Sequence, residues 1–536
     1  MDQQPKIFDS KMLLAVIIIG AFYVGWQQYL NHKYPHLNKP VAKEKTENST
    51  ANTSDEKKTN STSDVNVDKV VDKTLKSSSP DIKFVQKPSR EISYEDEKVK
   101  IKINSLGMAI SGFEIKKYTD RKGQPISMAP LAPGLFEMQW GATGEPIPFD
   151  LEESEKGVFV GKAQVGSMTL TRELVYNPDS FSFTQKVKID NPESITASIS
   201  FASRDRIQKP ESSSFLFPSY EHQDFLTFVN DKKELFNLSH TEEKLDATVK
   251  AINLYSLGTQ YFTIGFLDKS ELLSDLVLSS DLNSKTVNHS VEYKLPNVKE
   301  FELSNLIFVG PKSSENLKRA NERFVELMDF GMLAFISKPM LASMKWFHSL
   351  VGNWGLAIIF LTLLVRAIVL PFNLMSYRSM KGMQKIQPLL TDIRERYKDD
   401  PVTLNREMMS IMKQNNANPL SGCLPILLQI PIFFALYRVI GSSVELYQAP
   451  FFAWIIDLSL HDKFFVLPIL MGLTMYIQQK LTPTTLDPMQ AKILVWMPVI
   501  FSVFMLYLPA GLTLYMVVSA IFGIVQQKTF MALMKS

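Results

Sequence analysis

The sequence predicts a polytopic α-helical membrane protein of six spans that carries a large all-β domain outside the membrane. Three observations predict it. Six apolar stretches, at 12–30, 354–372, 420–440, 464–479, 493–508 and 511–527, approach the roughly 20 residues that cross about 30 Å of hydrocarbon. Between the first and second stretches, apolar and polar residues alternate over short runs, the period of half-buried strands. Charge is also unevenly divided. Residues 1–330 hold 41 Lys+Arg against 46 Asp+Glu and residues 331–536 hold 17 against 9, so the whole-chain charge of +3 conceals an acidic half and a basic half. The single cysteine excludes an internal disulfide framework, a multi-cysteine zinc site and an iron–sulfur cluster.

The first stretch follows Lys6 and Lys11, and Phe22, Tyr23, Trp26 and Tyr29 stand where a signal peptidase needs small residues. An aromatic belt on an uncleaved anchor explains them, giving a segment 1–30 of tail and anchor. Residues 36–80 contain no Phe, Tyr, Trp, Ile or Gly and are rich in Lys, Asp, Asn, Ser and Thr. They bury too little apolar surface to offset their ordering entropy, so 31–80 is expected to be a disordered tether. Alternating runs at 98–104, 158–165, 168–176, 181–190, 194–201 and 287–295, punctuated by Asn-Pro and Gly, predict an antiparallel sandwich or barrel within 81–330. A helix is expected over 311–330, with Leu317, Ala320, Phe324 and Leu327 on one face. The domain announces no chemistry. Gly157, Gly161 and Lys162 miss the spacing of a phosphate loop, His32 and His36 flank Pro35, and no metal site or cofactor is expected.

Residues 331–351 show helical spacing interrupted by Lys338, Pro339, Lys345 and His348, which suits an amphipathic helix in the outer interface or a linker helix on the β domain. The region 352–536 holds five spans. The loop 373–419 carries eight Lys and Arg whereas 441–463 carries only Lys463, which places 373–419, and with it both termini, in the cytoplasm. Arg366 lies inside a span, and none of the six spans contains Asp or Glu to pair it. A central Arg costs about 2.5–3.5 kcal/mol on insertion scales. It either snorkels to the cytoplasmic face or lines a hydrated groove with Thr362, Gln429, Thr474, Gln478, Ser502, Thr513 and Ser519. Pro371, Pro425, Pro431, Pro468 and Pro498 add bends that suit a cavity. Within 374–419, Met380, Met383, Ile386, Leu389 and Ile393 form one stripe and Leu404, Met408, Ile411 and Met412 another, with Lys385 and Arg394 among the outer charges. Asp400 and Pro401 start the second helix. This helical hairpin either packs its stripes together or offers Met-rich surface to greasy peptides. The lipobox-like Leu420-Ser421-Gly422-Cys423 opens a span and is no processing site.

Asn418-Pro419-Leu420, Gly422-Cys423-Leu424-Pro425, Gln429-Ile430-Pro431-Ile432-Phe433, Pro483-Thr484-Thr485, Asp487-Pro488-Met489-Gln490 and Met497-Pro498-Val499-Ile500-Phe501, with Arg366, closely resemble the YidC family of bacterial membrane protein insertases. The anchor and outside domain are similar in layout to its Gram-negative form. The resemblance implies a periplasmic β-supersandwich, a five-helix insertase core, and a substrate groove at Arg366, Thr362, Gln429, Phe433, Tyr515 and Ser519. It also implies a hairpin that recruits nascent inner-membrane proteins, here through Met380, Met383, Lys385, Arg394, Met408 and Met412. Implied partners are the Sec translocon, the ribosome or signal recognition components at the cytoplasmic loops, and the lipid bilayer, without sequence-specific nucleic-acid binding. The implied location is the bacterial inner membrane, and no enzyme chemistry is expected. Two features depart from the pattern: Met516 stands beside Tyr515, and the only basic residues after Gln527 are Lys528 and Lys535. A solute transporter with a periplasmic binding domain is the alternative, opposed by the absence of a repeat and of an intramembrane acid. An outside carbohydrate enzyme rests on fold analogy alone.

Overall fold

The computed structural model describes residues 84 and 88–533, apart from 121, 130, 142–143, 209–221, 230–231, 240–243, 416–423 and 483–487. The expected anchor and tether and the motif residues 418–423, 483–485 and 487 lie outside the described residues.

Among the described residues, nineteen strands form three antiparallel sheets of four, nine and six strands. The expected strands are present, and their alternation fixes the register. In Met168–Asn177 each second residue is buried, from Met168 to Tyr176, and it pairs on one side with Val158–Val165 and on the other with Ser182–Asp190. One boundary differs. The strand expected from 194 begins at Ser198, because the Asn191 side chain holds both backbone groups of Ile195 (2.9 and 3.0 Å) and keeps the chain in a turn.

The inner faces of the nine- and six-stranded sheets share one aromatic core. Phe225 stacks on Tyr255 (5.4 Å) and Tyr255 on Phe266 (5.4 Å), with His289 of the other sheet edge-on to Tyr255 (5.3 Å). Arg172, fully buried, ties the layers together. It donates to the carbonyls of Gly107 and Phe136 and to Gln185 Oε1 (2.6 Å), with its guanidinium 5.1 Å from the Phe201 ring. Burial lowers it to about 9, against the pull of Glu137.

The helix expected over 311–330 divides. Helix α1 (Ser314–Ala320) stops at Asn321, whose extended backbone and side chain, accepting from Arg323 N, restart the chain as a 3₁₀ turn over Glu322–Leu327. That turn lays Phe324 and Leu327 over Gly265, where a Cβ would meet them at 3.0–3.1 Å.

Seven helices follow: α2 (Ala334–Val351), α3 (Trp354–Arg396), α4 (Pro401–Gln414), α5 (Leu424–Ser442), α6 (Val466–Leu481), α7 (Pro488–Phe504) and α8 (Ala510–Leu533). Of these, α3 and α8 are long and apolar enough to cross a membrane, with shorter apolar helices at Leu427–Ser442 and Ile493–Tyr507. The span expected at 354–372 and the first hairpin helix are one element: α3 runs 43 residues without a break, through Pro371 and Pro388. Each proline forfeits one backbone hydrogen bond and Gly382, between them, is a weak helix former, yet the helix continues through all three. Pro468 and Pro425 sit in the first turns of α6 and α5, where the missing N–H has no intrahelical partner to lose. They start helices and do not bend them.

Helix α2 buries Ser337, Met340, Leu341 and Met344 and packs on α5, with Ser337 Oγ donating to Ala435 O (3.2 Å). Phe335, Trp346 and Leu350 on its other side are exposed. The β domain is fastened to the segment after α5. Gln448 Nε2 donates to Thr119 O and Oγ1 (2.8 and 2.9 Å), Thr119 N donates back to Gln448 Oε1 (3.3 Å), and Tyr447 Oη donates to Thr119 O (2.8 Å). Tyr447 sits among Tyr118, Tyr261 and Phe262, with ring centroids 4.9–6.1 Å away. Lys345 of α2 adds an ion pair with Glu445 (2.6 Å) and a bond to Ser314 Oγ (2.9 Å).

Candidate functional site

Helices α3, α5 and α8 pack against one another and bring four of the six expected groove residues into direct contact. Arg366, thirteen residues into α3, directs Nε and Nη2 at Ser519 Oγ of α8 (3.0 and 2.7 Å). Tyr515, one turn earlier on α8 and almost fully buried, accepts from Gln429 Nε2 of α5 (2.9 Å). The sequence folds this way because the two partners on α8 are four residues apart, hence on one face. Gly523, a further four residues on, leaves room: a Cβ there would stand 2.8 Å from Gln478 Nε2 and 3.4 Å from Arg366 Nη2. The small-xxx-small spacing of Ser519 and Gly523 was the signal for this close approach, and Gly523 is the residue that sequence reasoning passed over.

Thr362 is fully buried one turn before Arg366, but its hydroxyl donates back to Ile358 O (2.7 Å), so it contributes packing to the site and no free hydroxyl. Phe433 lies one turn beyond Gln429 on α5, edge-on to Phe501 of α7 (6.4 Å), and extends the polar line into an apolar one. Of the other polar residues, Gln478 borders the same space at Gly523 as Arg366, and three are not gathered in. Ser502 donates to Pro468 O (2.6 Å), Thr474 to Leu470 O (2.8 Å) and Thr513 to Pro509 O (3.3 Å), each satisfied by a helix carbonyl. Among the described residues no carboxylate reaches salt-bridge distance of Arg366, and no group of three or more potential metal ligands occurs. Two hydrogen bonds to one hydroxyl use two of the five guanidinium donors.

The hairpin stripes pack on each other. Met383, Ile386, Leu390 and Met412 form a buried cluster with Met408 and Ile411 against it, and Asp400 caps α4 through Val402 N and Thr403 N (3.1 Å each). Met383 and Met412 are thus turned inward, away from any free surface. Among the described residues, the exposed large apolar side chains of 374–419 are Met375, Leu389, Val402 and Met409. Lys385 is on the exposed side and Arg394 is half-buried; the Met380 side chain lies outside the described residues.

A basic residue that the sequence reading passed over, Arg438 near the end of α5, faces the junction with the β domain. A Cβ on Gly331 would lie 3.5 Å from its Nε. Burial pushes the Asp329 carboxyl up, but Lys233, at 3.3 Å, and Arg438 outweigh it and hold the group below its ordinary value. Burial lowers the nearby Lys312 ammonium to about 8, against Asp224 and Asp329.

A bundle of apolar helices with a cation and amides inside it, carrying an all-β domain, defines a class: integral membrane proteins with a polar interior. Residues 346–536 match the family model described as 60Kd inner membrane protein, and residues 91–343 match the YidC periplasmic domain. A membrane protein insertase YidC from Campylobacter jejuni is 32% identical across 98% of this chain and 97% of its own length. One from Pseudomonas fluorescens is 48% identical over 42% of this chain and 40% of its own. The crystal structure of an active YidC insertase aligns over 83% of this chain and 93% of that one, with 19% identity and a TM-score of 0.38. The chain belongs to the YidC family of membrane protein insertases, proteins of the inner membrane with a periplasmic domain. Its relatives carry insertase names and no catalytic or transporter ones, so the solute-transporter alternative has no support.

Proposed function

We propose that the insertase works without covalent chemistry, through a groove whose polar wall is Arg366, Ser519, Gln429 and Tyr515 and whose apolar edge begins at Phe433. Thr362 braces α3 behind Arg366. In this reading the helices α3, α5, α6, α7 and α8 are the five spans of the core, the stretch at 12–30 is a sixth, both termini are cytoplasmic and the β domain is periplasmic. Domain limits follow as 1–30, 31–80, 81–330, 331–351 and 352–536, with the hairpin at 374–419. The clients are nascent inner-membrane proteins, met at the hairpin by Leu389, Val402 and Met409 with Lys385 and Arg394 beside them. The Sec translocon and the ribosome or signal recognition components are the proposed partners at this side.

The observation that carries the reading is a guanidinium inside an apolar helix that is held by one serine hydroxyl and, among the described residues, by no carboxylate. A polar client flank crossing lipid alone loses several kcal/mol for each unsatisfied group. A fixed cation and amide in a partly shielded cavity attract an acidic flank several-fold more strongly than in water, while the apolar stretch moves sideways into lipid past Phe433. The test is insertion of single-span clients into liposomes by the purified protein. Arg366→Lys is expected to retain insertion, and Arg366→Glu to fail first with acidic-flanked clients. Wild-type rates for every client with Arg366→Ala would reduce the residue to a snorkelling cation.

A further inference from the structure

Helices α6 and α7 come close where Gly472 faces Ser502: a Cβ on Gly472 would stand 2.9 Å from the serine side chain. Beside this contact lies an open crevice of about 450 Å³, lined by Ile469, Leu473 and Tyr476 of α6 and by Trp496, Val499 and Val503 of α7. None of these residues belongs to the set around Arg366. The crevice has two unlike ends. Toward the end of α6 and the start of α7, Tyr476 and Trp496 are in ring contact at 5.8 Å, and Lys480 Nζ lies 4.8 Å from the Tyr476 ring centre, with its side chain exposed. Toward the other end the crevice is lined by exposed aliphatic side chains, Ile469, Leu473 and Val503, and the Ser502 hydroxyl is turned to the Pro468 carbonyl.

A cation and two amphipathic rings above an apolar trough form the complement of a phospholipid: phosphate, interface, acyl chain. Within a bilayer, apolar contact by itself gives no hydrophobic driving force, because lipid tails are as apolar as the trough. Selectivity therefore falls to the charge at the mouth. We propose that the α6–α7 crevice is a binding site for an anionic phospholipid, with one acyl chain along Leu473 and Val503 and the headgroup phosphate at Lys480. The proposal rests on the reading that α6 and α7 lie in the membrane. The headgroup then sits in the leaflet that Lys480 faces, the cytoplasmic one in the proposed topology.

The test uses the full chain in vesicles containing phosphatidylglycerol or phosphatidylcholine with brominated acyl chains. The signal is the quenching difference between the protein and its Trp496→Phe variant, which isolates Trp496. Brominated phosphatidylglycerol is expected to quench Trp496 at about fivefold lower mole fraction than brominated phosphatidylcholine, the preference of one basic residue for an anionic lipid. Lys480→Gln is expected to remove the preference and Lys480→Arg to keep it. Equal quenching by both lipids, or a preference that survives Lys480→Gln, overturns the site. A photoreactive residue at Val503 that captures protein and no lipid overturns it in favour of a transmembrane partner. Quenching by neither lipid overturns the membrane placement of the two helices as well.

Discussion

Gly523 sets how closely α8 approaches the cation on α3. Its replacement by Ala confronts the end of the flexible Gln478 side chain at 2.8 Å, which moves aside at little cost. Replacement by Leu fills the space that the guanidinium borders. Gly523→Ala is therefore expected to insert clients at close to wild-type rate and Gly523→Leu to lose most activity at equal expression, measured in the same liposome assay. A second residue makes a pH-dependent statement about the β domain. Asp205 is buried beside its own neighbour's N–H (2.7 Å), and burial raises its carboxyl to about 7 despite that bond and Arg206. The folded value lies above the unfolded one, near 3.9. Stability is thus whole below about pH 4 and is lost as pH rises through 7. Asp205→Asn is expected to raise the domain's melting temperature by several degrees at pH 8 and to leave it unchanged at pH 4, as calorimetry reads it.

The hairpin and the junction behave as units at the scale of elements. Because Met412 is buried in the seam between α3 and α4, Met412→Ala removes packing that costs about 2–5 kcal/mol in a well-formed core. The expected result is faster proteolysis within 374–419. Leu389→Ala with Met409→Ala touches exposed side chains and is expected to leave proteolysis unchanged while weakening cross-links to nascent chains. At the junction, Gln448→Ala deletes three hydrogen bonds to Thr119. At about 1 kcal/mol net for a typical bond, amide exchange in Ile110–Thr119 and at the outer end of α5 is expected to quicken by at least tenfold. An unchanged exchange rate would mean that the remaining contacts, those of Tyr447 and Lys345, suffice to hold the two parts together.

Across the whole molecule, periodicity and charge made the architecture legible and left close contacts unread. Strand alternation fixed the inward set of Met168–Asn177 so firmly that Arg172 could have been found from it: it sits on the buried phase between Leu170 and Leu174. The pairing of Arg366 was readable only as a choice among polar residues, because which hydroxyl meets a guanidinium depends on how α3 and α8 cross. The junction was not readable at all, since Thr119 and Gln448 are 329 positions apart and neither stands in a motif. The main packing partners of the core helices are other helices. Deleting most of 81–310 while keeping 311–351 is therefore expected to leave insertion largely working, and total loss in a well-expressed deletion would make the domain a gate.

Helix α3 carries its groove cation and its half of the hairpin on one uninterrupted rod. Thirty residues, about 45 Å at 1.5 Å each, separate Arg366 from the rod's far end, so a tilt of one degree about the guanidinium sweeps that end through about 0.8 Å. The arrangement is a lever with unequal arms. With the guanidinium as pivot, the short arm is the twelve residues back to Trp354, about 18 Å, so a push at the hairpin end returns at the Trp354 end as a movement less than half as large. Pro371 and Pro388 are the flexures of this lever, and its gearing is set by how far each yields.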